Sequence, residues 1–310
     1  MNVRIAIIGA GAMGMLFGAK LQQAGNEVIM VATRPELIDK LNREGIDLES
    51  ERGREITPVK AKLAEDIKED IDLAILFTKA IHTEAAMSSA RKYLGRDSHV
   101  LTLQNGIGNI EIINKYIPYE NILAGVTMFA SDVIGNGRIS SYGTGYTRIM
   151  AVDGKEDEIL RHINGVLDEA GLKSEISLDI FVAIWEKLAF NSAMNASAAI
   201  CRVPNGGLAN TEQGRALVYN IASETLEVAR AHGIKVSEKR VLDAITSSFK
   251  MHKNHFPSMA QDVFKKRQTE SQFINGNIVK KAKEVNLESP YNEVLFALIH
   301  TIENTYPMQR

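Results

Sequence analysis

The chain has 310 residues, enough for about two domains. Its composition is 45% hydrophobic and 24% charged, that of an ordinary globular protein, and a net charge of −2 removes any electrostatic basis for binding nucleic acid or an anionic membrane. The lone Cys201 has no internal disulfide partner, and Met1-Asn2-Val3-Arg4-Ile5 lacks the basic start of a secretory leader, so a cytoplasmic location is expected.

Residues 3–8, Val-Arg-Ile-Ala-Ile-Ile, form a β-branched run that predicts a buried strand ending at Gly9. Residues 12–24 read as a helix with Leu16, Phe17 and Leu21 on one side, stopping at Gly25. A second strand is expected at 27–31 and a short helix from Pro35 to Glu44. Further strands are expected at 71–77, 99–103 and 122–127, and β-hairpin material at 126–152. Strands alternating with helices predict a parallel sheet. A helix over 156–170 follows, ending at Gly171.

After about residue 178 the pattern is almost wholly helical: 180–200, 210–232 with Asn210 or Thr211 as cap and Gly233 as stop, 237–252, and 258–285. The last helix opens at Ser289-Pro290, with Val294, Leu295, Leu298, Ile299 and Ile302 expected to face inward. The apolar stretch around 181–201 is interrupted by Glu186, Lys187, Asn191 and Asn195, so it does not read as a membrane span. The domain boundary is expected near 175–180, giving an α/β domain over 1–178 and an all-α domain over 179–310.

The turn Gly9-Ala-Gly11-Ala-Met-Gly14 sits directly after a strand and before a helix, the context that makes this spacing a dinucleotide-binding signal. Gly9 permits the tight turn, Gly11 lets the backbone approach a pyrophosphate, and Gly14 allows close helix–strand packing. Ala12 and Met13 lie between them at the helix start and complete the cofactor-binding turn. The first domain is therefore read as Rossmann-type. The second strand ends in Ala32-Thr33-Arg34 with no acid for a ribose hydroxyl, and Arg34 suits a 2′-phosphate, which favours NADPH over NADH. Two other loops follow strands. Lys79 is suited to a cofactor phosphate or a substrate carboxylate, and Asn105 to the nicotinamide side, although Asn105-Gly106 is first a turn signal.

Lys187, Asn191 and Asn195 are spaced four apart, which stacks one cation and two amides on one helical face. Such a stripe is ordinarily a solvated face; the apolar neighbours argue against that here, because a buried ammonium needs a polar partner. A ketone gains negative charge on oxygen as hydride arrives and finally needs a proton, both of which a lysine can supply. Glu270 is the candidate carboxylate beside it; Glu186 is adjacent in sequence but points elsewhere on the helix. Asn191, Asn195, Asn205 and Ser258 are candidates to hold the oxygens of a small carboxylated substrate. His252 and His255 are three apart without a third ligand at suitable spacing, so no metal site is expected.

Taken together, Gly9-Ala-Gly-Ala-Met-Gly14, Lys79-Ala80, Gln104-Asn105-Gly106, Lys187-x3-Asn191-x3-Asn195, Pro204-Asn205-Gly206, Pro257-Ser258-Met259-Ala-Gln261-Asp262 and Arg267-x-Thr269-Glu270 resemble the ketopantoate reductase family over essentially the whole chain. The resemblance implies NADPH-dependent reduction of 2-dehydropantoate to (R)-pantoate in pantothenate and coenzyme A synthesis. It implies Lys187 as general acid, Glu270 as the polarising carboxylate, and substrate-binding roles for Asn191, Asn195, Asn205 and Ser258. It also implies Gly9, Gly11 and Gly14 against the pyrophosphate and Asn105 against the cofactor. Two departures stand out. His82 occupies a position where the family often has Gln, and Ser271-Gln272 replaces the usual Ile-Asp, removing an acid near the site and opening the substrate to other 2-oxo acids. A 3-hydroxyacid dehydrogenase-type enzyme and a non-catalytic NADP-binding sensor are the competing readings. The long helices after residue 180 are candidates for a homodimer interface.

Overall fold

The computed structural model describes residues 3–309, which divide into two compact units. The first runs to Gln104 and resumes over Asn109–Ile180; the second comprises Asn105–Gly108 and the chain from Phe181 onward.

In the first unit the elements are β1 (Arg4–Ile8), α1 (Ala12–Gln23), β2 (Glu27–Val31), α2 (Pro35–Glu44), β3 (Ile46–Ser50), β4 (Gly53–Thr57), β5 (Lys60–Lys62), β6 (Ile71–Leu76), α3 (Thr83–Ala90), β7 (Leu94–Thr102), α4 (Asn109–Ile113), β8 (Ile122–Thr127), β9 (Asp132–Gly135), β10 (Arg138–Ser140), β11 (Thr147–Ala151), α5 (Glu158–Leu167) and β12 (Ser174–Ile176). Eight strands form the main sheet in the order β12-β11-β8-β7-β6-β1-β2-β5. From β5 to β8 every pairing is parallel; β11 then runs antiparallel to β8 and parallel to β12, so the sheet is mixed where a parallel one was expected. The segment between β8 and β11 carries the β9 and β10 strands and no crossover helix, and β11 returns antiparallel beside β8. Ile5, Ala6 and Ile7 on β1 are fully buried, as a strand covered on both faces requires.

The Gly- and Ser-rich stretch does contain a hairpin, β9–β10, which joins β3 and β4 in a second sheet ordered β4-β3-β10-β9. Asp47 on β3 is buried and receives Arg54 at 2.8 Å and Arg138 at 2.7 Å. Hydrogen bonding from Arg54, with further help from Arg138, holds its carboxyl below the usual range. β4 and β5 escaped the sequence reading because Arg54, Glu55 and Lys60 are exposed and carry no apolar alternation.

The second unit holds α6 (Ile180–Cys201), α7 (Asn205–Leu208), α8 (Glu212–Ala231), α9 (Glu238–Met251), α10 (Ser258–Phe264), α11 (Asn277–Glu284) and α12 (Pro290–Asn304). The core of this unit joins Leu188, Ala189, Ala193, Met194 and Ala196 of α6 with Val218, Ile221 and Leu226 of α8 and Ile299 of α12 in one buried cluster. Thr211 caps α8 by accepting from the Gly214 amide at 3.0 Å, and Gly233 with φ +78° stops it. α12 starts at Pro290, but the Ser289 side chain makes no cap. Glu224 of α8 caps it from outside instead, accepting from the Tyr291 and Asn292 amides at 3.0 and 2.9 Å.

Two expectations for this unit fail. Val294 and Leu298 are 57% and 43% exposed, leaving Leu295 and Ile299 as the inward row of α12. The single helix expected over 258–285 is broken. Lys266 turns left-handed at φ +51°, the Arg267 amide bonds back to the Asp262 carbonyl at 2.9 Å, and its guanidinium bridges the Asp262 carboxylate at 2.8 Å. The chain then runs without helix to a π turn at Gln272–Gly276 before α11 begins.

Candidate active site

The glycine turn is built as its spacing requires. Gly9 has φ +110°, and a Cβ there would lie 2.6 Å from the Thr78 amide nitrogen, so only glycine fits between the ends of β1 and β6. A Cβ on Gly14 would run into the Gly9 carbonyl oxygen. At Gly11, by contrast, the space where a side chain would stand is open. The first amides of α1, at Ala12, Met13 and Gly14, begin a helix whose N-terminal N–H groups have no partners within it. That is an anion-binding geometry.

A cleft of about 650 Å³ opens from this turn and stays within the first unit. It is bordered by Gly9, Gly11, Thr33, Arg34, Lys79 and His82. Arg34 is exposed at the start of α2, and Lys79 is half-buried. The size, the open backbone at Gly11 and the cations at Arg34 and Lys79 fit a dinucleotide. Two further bordering residues had no sequence signal. Glu65 follows the three-residue β5, and Tyr93 follows α3, neither of which carries a periodicity that predicts an element. Tyr93 is 5% exposed, its hydroxyl has no hydrogen-bond partner, and burial pushes its phenol well above the ordinary value of 10.

The second cluster lies in the helical unit. Lys187, Asn191 and Asn195 follow one another along α6; the first two are half-buried and Asn195 is buried. Burial drives the Lys187 ammonium down from 10.5 to about 8, and the negative charge of Glu270 partly opposes this. Glu270 sits in the break between α10 and the π turn. Its carbonyl accepts from the Phe273 and Ile274 amides at 3.0 Å, while the preceding Thr269 amide bonds to Glu303 at 2.6 Å. A continuous helix over 258–285 would have denied this carboxylate its irregular backbone seat.

Other candidates are placed as follows. Asn105 groups with the helical unit, and its side-chain amide donates to Glu270 Oε2 at 3.3 Å. Lys79 borders the cleft of the first unit, so the two loop candidates fall in different units. Asn205 is buried; its amide donates to Ser248 Oγ at 3.1 Å, and its side-chain oxygen is left without a partner. Ser258 is exposed at the first residue of α10. Glu186 is engaged elsewhere, accepting from the Ser237 amide at 2.7 Å and from Arg240 at 2.9 and 2.6 Å. His252 and His255 are exposed, and no group of three or more His, Cys, Asp or Glu among the described residues is arranged to hold a metal ion. Among the described residues no helix is long and apolar enough to cross a membrane.

Comparison with known proteins bears on the whole chain. The family described as ketopantoate reductase PanE/ApbA matches residues 5–154, and its C-terminal counterpart matches residues 179–303. A 2-dehydropantoate 2-reductase from Lactococcus lactis is 32% identical over 307 residues, covering 97% of this chain and 98% of that protein. Among solved structures, a D-mandelate dehydrogenase with NADH and anilino(oxo)acetate superposes with a TM-score of 0.93 at 32% identity, over 97% of this chain and 99% of that one. A PanE/ApbA family ketopantoate reductase from Ralstonia eutropha JMP134 gives 0.90 at 30% identity, with 97% and 99% covered. A glycine turn feeding a dinucleotide-sized cleft, a desolvated lysine facing a carboxylate, and matches across both units lead to one assignment: the chain belongs to the ketopantoate reductase PanE/ApbA family, a family of oxidoreductases.

Proposed function

We propose that the protein reduces 2-dehydropantoate to (R)-pantoate with NADPH, using Lys187 as general acid and Glu270 as the polarising carboxylate. The observation that carries this reading is the place of Lys187, half-buried on the apolar helix α6 and near enough to Glu270 for that charge to act on an ammonium that burial lowers to about 8. At pH 7 a group with that pKa is still about nine-tenths protonated, yet it gives up its proton far more readily than an exposed lysine.

When bound, the nicotinamide supplies hydride to the carbonyl carbon of the substrate. The chain's residues manage the oxygen. Lys187 donates a hydrogen bond to it, stabilises the charge that develops there, and transfers its proton as the alcohol forms; solvent then reprotonates the amine. Glu270 keeps the lysine charged and accepts from a substrate hydroxyl. Asn191, Asn195, Asn205 and Ser258 hold the remaining oxygens of the substrate. Gly9, Gly11, Ala12, Met13 and Gly14 take the pyrophosphate, Arg34 the 2′-phosphate, and Lys79 and Asn105 further cofactor contacts. The exposed Val294 and Leu298 of α12 supply apolar surface for a homodimer, which sedimentation would test.

A second reading has its own support. Ser271, 3% exposed, and Gln272 stand where the family pattern has Ile-Asp, and the similar D-mandelate dehydrogenase structure carries NADH with an aryl-substituted oxo acid. In that reading the chemistry is the same and the substrate is a bulkier 2-oxo acid. The deciding experiment follows oxidation of NADPH and of NADH with ketopantoate, phenylglyoxylate and branched 2-oxo acids. Ketopantoate with NADPH as the preferred pair supports the proposal. Preference for phenylglyoxylate or a branched acid transfers the function to the second reading. Tight cofactor binding without turnover on any acid would leave a sensor.

A further inference from the structure

Asn105 is expected on the cofactor side, and it follows β7 of the main sheet. Its immediate neighbours are nevertheless fastened to the helical unit. The Ile107 amide donates to the Phe273 carbonyl at 3.0 Å, and the Asn277 side-chain amide donates to the Ile107 carbonyl at 2.5 Å. Gly106 has φ +83°, and a Cβ there would collide with the Phe273 carbonyl group, so the loop lies flat on the π turn that follows Glu270. From this seat the Asn105 amide reaches Glu270 Oε2 at 3.3 Å.

We propose that Asn105 is a positioning residue for Glu270, holding the carboxylate toward Lys187 from a loop that is anchored to the π turn. A carboxylate on an irregular segment has rotamer freedom that its backbone bonds do not remove; an N–H donor on one oxygen restricts where that oxygen can go. The other oxygen is then directed to the ammonium or to the substrate. Three elements converge on the charge: Lys187 from α6, Glu270 from the chain before the π turn, and Asn105 from the loop. This rests on the proposed roles of Lys187 and Glu270, and extends them by a residue 165 positions away in the chain.

The test reads geometry and activity separately. Protein labelled at the lysine Cε is titrated by NMR, with the Lys187 signal assigned by its loss in Lys187→Arg, in wild type, Glu270→Gln, Asn105→Ala and Asn277→Ala. Asn277→Ala loosens the loop without touching Glu270. The expected result is a Lys187 pKa that falls in Glu270→Gln, falls by a smaller amount in Asn105→Ala, and falls least in Asn277→Ala. In parallel, kcat/KM for ketopantoate, measured at saturating NADPH, should drop about tenfold in Asn105→Ala. Asn105→Ala with an unmoved Lys187 titration would overturn the proposal and leave Asn105 a cofactor residue only. Should Lys187→Ala keep its turnover, the proposed function fails on that result, while the titration still decides whether Asn105 holds Glu270.

Discussion

The two units prepare their chemistry in opposite ways. The cleft of the first unit is shaped by backbone: Gly9 and Gly14 are forced by collisions with Thr78 and with each other, and the helix amides of α1 are fixed once that turn forms. The cluster of the second unit is shaped by side chains: Lys187 on a regular helix, Glu270 on an irregular segment, and Asn105 on a loop. A backbone site of this kind is all-or-none at Gly9 and Gly14, because a Cβ at either collides with backbone. A side-chain site is adjustable, because burial and one neighbouring charge set the lysine's proton affinity. The difference predicts that substitutions in the first unit act through cofactor affinity and folding, and those in the second through turnover and its pH dependence.

The sharpest break between the units is expected from Lys187→Ala. Removal of a general acid should lower kcat by about a thousandfold. NADPH affinity, read by nicotinamide fluorescence, should stay within about twofold. Equal losses in both would make Lys187 a binding residue. Gly14→Ala is the mirror image. Its Cβ meets the Gly9 carbonyl oxygen, so NADPH affinity should fall more than tenfold and the melting temperature should drop, even though no side chain is lost.

Glu224→Ala separates stability from chemistry inside the helical unit. The carboxylate is 8% exposed and accepts from the Asn292 amide and side chain at 2.9 and 2.8 Å, in a network that includes Thr225 and Asn275. Removing it strands the first amides of α12, and urea denaturation should register a loss of about 2–4 kcal/mol. Turnover per folded molecule should not change. The smallest of these effects belongs to Arg34→Ala. Loss of one charge-assisted contact should weaken NADPH by about ten- to a hundredfold and leave NADH nearly untouched. Equal weakening of both cofactors would show that Arg34 does not read the 2′-phosphate.

How much could be read from the chain alone follows the same division. The β-branched run at 3–8 and the Gly9–Gly14 spacing are local signals, and the buried strand and the open turn at Gly11 appear where they were expected. Thr211 and Gly233 likewise bound α8 through local cap chemistry. β4, β5 and α3 were invisible because their residues are charged, few or small, and only pairing with neighbours makes them regular. The break at Lys266 was hidden for another reason: nothing in Lys265-Lys266-Arg267 opposes a helix, and the Arg267–Asp262 bridge that ends it is a folded-state contact. At the site, Lys187 was conspicuous as a cation amid apolar residues, and the charge of Glu270 acts on its ammonium. The bond from Asn105 to Glu270 joins residues 165 apart, and no periodicity carries it.

The central claim is that Lys187 must hold a proton for ketone reduction and that burial against Glu270 sets when it does. The direct test is kcat/KM for the oxo acid against pH, in the direction of reduction. A lysine whose pKa is lowered to about 8 is charged below that pH and neutral above it, so the profile should be level near pH 7 and fall tenfold per unit above about pH 8. Glu270→Gln removes the charge that opposes this lowering, so the falling limb should move to lower pH. A profile that stays level to pH 10, or a limb that ignores Glu270→Gln, would contradict the account.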